Sequence, residues 1–200
     1  GGGVRSIDDH VEDLAALIDH FGFDKVVLFG LSVGGMIAQR LYTRHPRCVE
    51  ALVLSNTAHK IGTDELWNAR IDKIAAEGMA TLVGPVMERW FTPAFRRSDN
   101  ALFAGACNML ARQSADGYAG TCAAIRDADY TEAAHRITVP TLCVAGDGDG
   151  STPPDLVRGL ADLVPGSRFV VVPACGHIPC LEQPAAYAAT ARGFLETLET

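Results

Sequence analysis

The sequence predicts an α/β fold: a mostly parallel sheet with helices on both faces and a helical insertion between its second and third strands. Three observations carry this. Short apolar runs at 26–29, 52–54, 141–145 and 169–172 lack the alternation of a half-solvated strand, so they belong to a sheet covered on both faces. Segments with helical spacing alternate with these runs, and residues 63–127 contain no convincing strand.

The elements follow in order. Ser6-Ile7-Asp8-Asp9 has the pattern of a helix start, and Val11, Leu14, Leu17, Ile18 and Phe21 then recur at helical spacing until Gly22. The strand at 26–29 leads into a helix at 34–45, ended by Pro46, and then into the strand at 52–54, which completes a βαβ unit. The pattern returns with the strand at 141–145, a helix over 155–164 closed by Gly166, the strand at 169–172 and a last helix at 185–198. Residues 63–127 read as several short helices whose apolar sides include Ile71, Ile74, Leu82, Val86, Met87, Trp90 and Phe91. The expected organisation is therefore a core of 1–62 and 128–200 with a helical cap at 63–127, set over the carboxyl edge of the sheet where open α/β sheets bind ligands.

Composition narrows the function. A chain of 200 residues, 48% hydrophobic and 20% charged, suffices for one globular domain. Its formal net charge of -7 argues against nucleic acid or an anionic membrane as the main partner. No apolar run is long enough to span a membrane, and residues 1–5 lack the apolar core of a signal peptide, so a cytoplasmic protein is expected. The six cysteines, at 48, 107, 122, 143, 175 and 180, form no Cys-x-x-Cys, which points to buried reduced thiols and to neither a disulfide framework nor a zinc site.

The chemistry starts at Gly30-Leu31-Ser32-Val33-Gly34, a Gly-x-Ser-x-Gly motif between an apolar strand and a helix. A sharp strand-to-helix turn needs residues without a Cβ on either side of the serine, places that Gly30 and Gly34 fill, and the following helix aims free N–H groups at developing negative charge. The plainer reading is a glycine-rich turn. A nucleophilic serine needs a histidine to take its proton and a carboxylate to orient that histidine. His177 follows the 169–172 strand through Ala174-Cys175-Gly176, whereas His10, His20, His45, His59 and His135 lie on helices, helix ends or the insertion. Asp147 and Asp149 follow the 141–145 strand, which gives the chain order Ser, acid, His. Either aspartate fits the acid, and either also fits a capping or turn role before Pro153 and Pro154. A calcium loop starting at Asp147 fails, because Thr152 and Arg158 stand where it needs Gly and Glu.

With these residues in place, the chain resembles the α/β-hydrolase superfamily, and more narrowly the 3-oxoadipate enol-lactonases of bacterial aromatic catabolism. The resemblance rests on the stretch from Gly30 to Gln39, Leu52-Val53-Leu54-Ser55-Asn56-Thr57-Ala58, Trp67-Asn68-Ala69-Arg70, Arg89-Trp90-Phe91-Thr92, Tyr118-Ala119-Gly120, Gly146-Asp147-Gly148-Asp149 with Thr152-Pro153, and Gly176-His177 with Glu182-Gln183-Pro184. It implies the α/β-hydrolase fold and hydrolysis of a small lactone or ester, 3-oxoadipate enol-lactone in the β-ketoadipate pathway, with no metal or organic cofactor. It makes Asp149 the acid and the backbone N–H of Val33, where methionine is usual, an oxyanion donor. It also implies that strands preceding Gly1, with a His-Gly loop supplying a second oxyanion donor, are missing, so the isolated chain is expected to be poorly soluble or inactive. An esterase, carbon–carbon hydrolase or perhydrolase of the same superfamily would share Ser32, Asp149 and His177, and a catalytically silent fragment is the alternative of a different class. An aspartate nucleophile is excluded by Ser32. Trp67 and Arg70, three apart on the first cap helix, share a face: Arg70 suits a substrate carboxylate and Trp67 a pocket wall. The bland alternative is an exposed arginine beside a packed tryptophan.

Overall fold

The computed structural model describes residues 6–198, so the N-terminal stretch read at 1–5 lies outside the described residues. Helix α1 (Ile7–His20) opens with a capping box: the Ser6 hydroxyl accepts from the Asp9 N–H at 3.2 Å, and the Asp9 carboxylate accepts from the Ser6 N–H at 2.8 Å. Ile7, Val11 and Ile18 are buried, but Leu17 and Phe21 of the expected apolar stripe are exposed. Strand β1 (Val26–Leu31), helix α2 (Val33–Arg44), a 3₁₀ turn (Pro46–Cys48) and strand β2 (Val49–Ser55) follow. β2 starts earlier than its apolar run, because pairing with β1 extends to Val49.

Between β2 and β3 (Thr141–Gly146) come only helices: α3 (Asp64–Glu77), a 3₁₀ turn (Met79–Leu82), α4 (Val83–Trp90), α5 (Ala101–Ala111), α6 (Ala115–Arg126) and α7 (Thr131–Ala134). Helix α8 (Pro154–Leu163), strand β4 (Arg168–Val172), the short α9 (Pro179–Glu182) and α10 (Pro184–Leu195) complete the order. The one-turn helices α7 and α9 are too short to show a period in the sequence.

The four strands are all parallel and lie in the order β1-β2-β3-β4. One face of the sheet packs against α1, α2, α7 and α8 in a core that includes Val11, Met36, Leu41, Leu52, Leu54, Cys143 and Leu160. On the other face Ala51, Val53, Leu142, Val144 and Val172 gather with Phe194 of α10. Each fully buried Leu or Phe contributes about 1.5–3 kcal/mol. A third cluster, with Ile74, Met79, Leu82, Val86, Met87, Phe91, Ala106 and Leu110, belongs to the helical segment. Of the cysteines, Cys122, Cys143 and Cys175 are buried, Cys48 and Cys107 half-buried and Cys180 exposed, so burial of the thiols is only partial.

Register sets the site. Gly30 pairs with Leu54, Ser55 with Val144, and Ala145 with Val171, so the carboxyl ends of all four strands reach one edge together. Among the described residues three non-glycine residues have positive φ, Ser32 (55°), Asn56 (48°) and Ala174 (51°), and they follow β1, β2 and β4. Such residues cost about 1–3 kcal/mol each and persist only where their surroundings hold them.

Candidate active site

Ser32 stands at the turn between β1 and α2. Its N–H donates to the Ser55 carbonyl at 3.0 Å, and its own carbonyl accepts from the Gly35 N–H at 2.9 Å and the Thr57 hydroxyl at 2.7 Å. The turn is therefore bonded to the end of β2 on both sides of the serine. The tightness lies partly outside the motif: a Cβ on Gly30 would come within 2.4 Å of the Gly34 carbonyl and one on Gly35 within 2.4 Å of the Thr57 side chain, yet one on Gly34 would meet open space. The expectation that Gly34 is sterically required is thus corrected, because the close approach of Thr57 falls on the next residue. No side chain caps the first turn of α2, so the N–H groups ahead of Gly35, that of Val33 among them, are left without a helical partner.

His177 and Asp149 are both buried, each 3% exposed. His177 Nδ1 lies 2.8 Å from Asp149 Oδ2, with the Thr152 hydroxyl 3.3 Å from the same nitrogen. The same Asp149 oxygen accepts from the Asn56 amide at 3.0 Å and the Thr152 hydroxyl at 2.7 Å, while Oδ1 accepts from the Ser151 and Thr152 N–H groups at 2.7 and 3.0 Å. Burial pushes the Asp149 carboxyl up, but the hydrogen bond and charge of His177, with the Asn56 amide and the Thr152 N–H, outweigh it and leave the group below its ordinary value. An ionised carboxylate only accepts, so Nδ1 carries the proton and Nε2 is free to take another. Among the described residues no hydrogen bond reaches the Ser32 hydroxyl.

Asp147 has a different position. Its two carboxylate oxygens accept from the Ala174 and Cys175 N–H groups, both at 3.0 Å, and so hold the loop that carries His177. Glu182 clamps the next residue, accepting from the Gly176 N–H at 2.8 Å and from the Thr92 N–H at 3.1 Å. The nearby Cys175 thiol is pushed up to about 12 by burial and neighbouring carboxylates, which makes it a poor nucleophile at neutral pH. Among the described residues no three His, Cys, Asp or Glu side chains are grouped as metal ligands.

Trp67 is buried and its indole N–H donates to the Ile61 carbonyl at 2.6 Å. The Arg70 guanidinium lies over that indole, 4.9 Å from the ring centroid. Arg89, on α4, lines the same 220 Å³ cavity as Arg70, and its Nε donates to the Gly150 carbonyl at 3.3 Å. Burial and the like charge of Arg70 lower the Arg89 pKa against the opposing pull of Asp149. Neither arginine has a carboxylate within ion-pair distance among the described residues. Sequence reasoning missed Asn56, Thr152 and Arg89 as site residues. Asn56, directly after an apolar strand in the same register as Ser32, carried the most usable signal.

Comparison with known proteins agrees with this architecture. The alpha/beta hydrolase fold family model matches residues 5–184. The 3-oxoadipate enol-lactonase 2 of Acinetobacter baylyi is 32% identical over 185 residues, 92% of this chain and 69% of that protein. A pimeloyl-acyl-carrier protein methyl ester esterase of Neisseria meningitidis is 31% identical over 84% of this chain and 68% of its own length. The crystal structure of the enol-lactonase from Burkholderia xenovorans superposes with a TM-score of 0.93 at 32% identity, covering 97% of this chain and 74% of that one. With Ser32, Asn56, Asp149 and His177 following the carboxyl ends of β1, β2, β3 and β4 and the family model matching nearly its whole length, the chain belongs to the α/β-hydrolase family and is a hydrolase.

Proposed function

We propose that this chain hydrolyses a carboxylic ester with Ser32 as nucleophile, His177 as base and Asp149 as the acid that orients it, and that its substrate is a carboxylate-bearing enol-lactone of the 3-oxoadipate type. The observation that carries the proposal is the buried Asp149–His177 pair, whose bonding leaves Nε2 as the open acceptor, together with Ser32 held at positive φ at the end of β1. The Ser32 hydroxyl gives its proton to Nε2 as its oxygen attacks the lactone carbonyl, a contact that closes as the substrate seats. The Val33 N–H, at the head of α2, faces the oxyanion. Collapse of the tetrahedral adduct breaks the acyl–oxygen bond of the ring, and the departing enolate takes the proton back and settles as a ketone. Water, deprotonated by His177, then cleaves the acyl-serine and regenerates the hydroxyl.

Residues 63–127 act as a cap over the core of 1–62 and 128–200; the apolar cluster built from α3, α4 and α5 supports this division, while Trp67, Cys122, Ala124 and Ile125 of the same segment join the main core. Arg70 and Arg89 supply cations for the substrate carboxylate, with Trp67 as the platform under Arg70. The net charge of -7 supports a small-molecule enzyme over a nucleic-acid binder. Among the described residues no helix is long and apolar enough to cross a membrane.

The test compares Arg70→Ala on two substrates. kcat/KM for the carboxylate-bearing enol-lactone should fall by about 30-fold or more, equivalent to about 2 kcal/mol, while that for p-nitrophenyl acetate stays within about threefold. A parallel fall on both substrates would remove Arg70 from substrate recognition and favour the plain esterase reading, which keeps the same three catalytic residues.

A further inference from the structure

The imidazole of His177 is held on its edge by Asp149 and Thr152, and on its face by Trp90. The Trp90 indole stacks over it with ring centroids 5.8 Å apart and planes at 28°. The two residues also meet through the main chain, where the His177 N–H donates to the Trp90 carbonyl at 2.6 Å. Contact here is close enough that a Cβ on Gly176 would come within 2.2 Å of that carbonyl oxygen. Both neighbours of Trp90 are tied down as well. The Arg89 carbonyl accepts from the Gly150 N–H at 2.9 Å, in the loop that carries Asp149, and Phe91 is buried in the helical cluster. The end of α4 is thereby fastened to both loops that present the acid and the base.

We propose that Trp90 is a positioning residue for His177, fixing the plane of the imidazole and favouring the imidazolium formed while it holds the Ser32 proton. The inference rests on the serine-hydrolase reading above. An indole face attracts a cation within about 6 Å of its centroid, and the attraction strengthens where water is excluded. Other groups around His177 also set its charge preference: Asp149 at Nδ1, Asp147 on the Cys175 N–H, Glu182 on the Gly176 N–H, Arg89 at Gly150 and the Cys175 thiol itself. The carboxylates favour the imidazolium and Arg89 opposes it. All of them stay in place when only the indole is changed, so a difference between Trp90 variants isolates the ring.

The experiment follows the rate of Ser32 labelling by a fluorophosphonate across pH in the wild type, Trp90→Phe and Trp90→Leu. Loss of the π face in Trp90→Leu should slow labelling and lower the acid-side midpoint by about 0.5 pH unit or more, while Trp90→Phe keeps the midpoint within about 0.3. A wild-type midpoint in Trp90→Leu, even with slower labelling, would reduce Trp90 to a passive wall and overturn the proposal. Should Trp90→Leu fail to fold, wild-type tryptophan fluorescence decides: emission should drop as His177 protonates against the indole, and the step should vanish in His177→Gln. A titration with no such step also overturns the proposal. Failure of the wild type to label at Ser32, with the fluorescence step present, would instead count against the serine-hydrolase reading.

Discussion

The Asn56 amide nitrogen lies 3.0 Å from Asp149 Oδ2 and, from the same nitrogen, 3.2 Å from the Gly176 carbonyl. One amide thus joins the loop of the acid to the loop of the base. Its own carbonyl oxygen accepts from the Ser55 hydroxyl at 2.8 Å, which fixes which way the amide faces. Ser55 in turn accepts the Ser32 N–H, so the three strand ends are coupled through residues 55 and 56. Asn56→Leu, close in volume but without donors, should lower kcat by about 10- to 100-fold, as loss of a charge-assisted hydrogen bond to a buried group does. Steady-state kinetics alongside a thermal melt check this, and an unchanged kcat would show that the link is dispensable.

The two aspartates after β3 should separate cleanly. Asp149→Asn leaves an amide where His177 needs an anion, and turnover should fall by about a thousandfold or more, as a mis-set imidazole tautomer does. Asp147→Asn keeps one acceptor but turns an NH₂ toward a loop N–H, so about 1–3 kcal/mol of stability should be lost. Its kcat should remain within about tenfold of the wild type if the loop still closes. Denaturant melts and kcat for both variants distinguish these effects, and equal kcat losses would mean that the acid is wrongly assigned.

Acid stability follows from the depressed Asp149 carboxyl. Its ordinary value is 3.8 and its folded value lies lower, so ionised Asp149 stabilises the fold fully above that ordinary value, and this contribution disappears as pH falls through the folded pKa. Unfolding free energy should therefore decline from about pH 4 downward, and the decline should be shallower in Asp149→Asn. Melts at a series of pH values check the sign, and an equal slope in the variant would show that Asp149 is not held ionised by the fold.

Much of this architecture is legible in the chain. Unbroken apolar runs announce the strands, although only β2 and β3 are buried almost throughout, while Phe29 of β1 and Val171 of β4 are exposed; Ser32, Asp149 and His177 follow β1, β3 and β4 in the order the pattern requires. What the pattern leaves out depends on register and close approach. Asn56 becomes part of the site because Ser55 pairs with Val144 and brings the end of β2 level with the end of β3, a relation that no local periodicity encodes. Gly35 matters because Thr57, from another strand end, presses on it, whereas Gly34 in the motif has room to spare. Arg89 reads as one more charge on a short helix until the end of α4 is seen bonded to Gly150. Leu17 and Phe21 fit the helical period of α1 but are exposed, since periodicity specifies a face and not what covers it.

The central claim is that Ser32 is the nucleophile and acts as one unit with His177. Its most direct test is mass spectrometry of the protein after reaction with a fluorophosphonate, with the adduct mapped by peptide sequencing. The account predicts one adduct, on Ser32, formed in the wild type, absent in Ser32→Ala and slowed by about a thousandfold or more in His177→Ala. An adduct on another residue, or labelling of Ser32 that proceeds at the wild-type rate without His177, would contradict it.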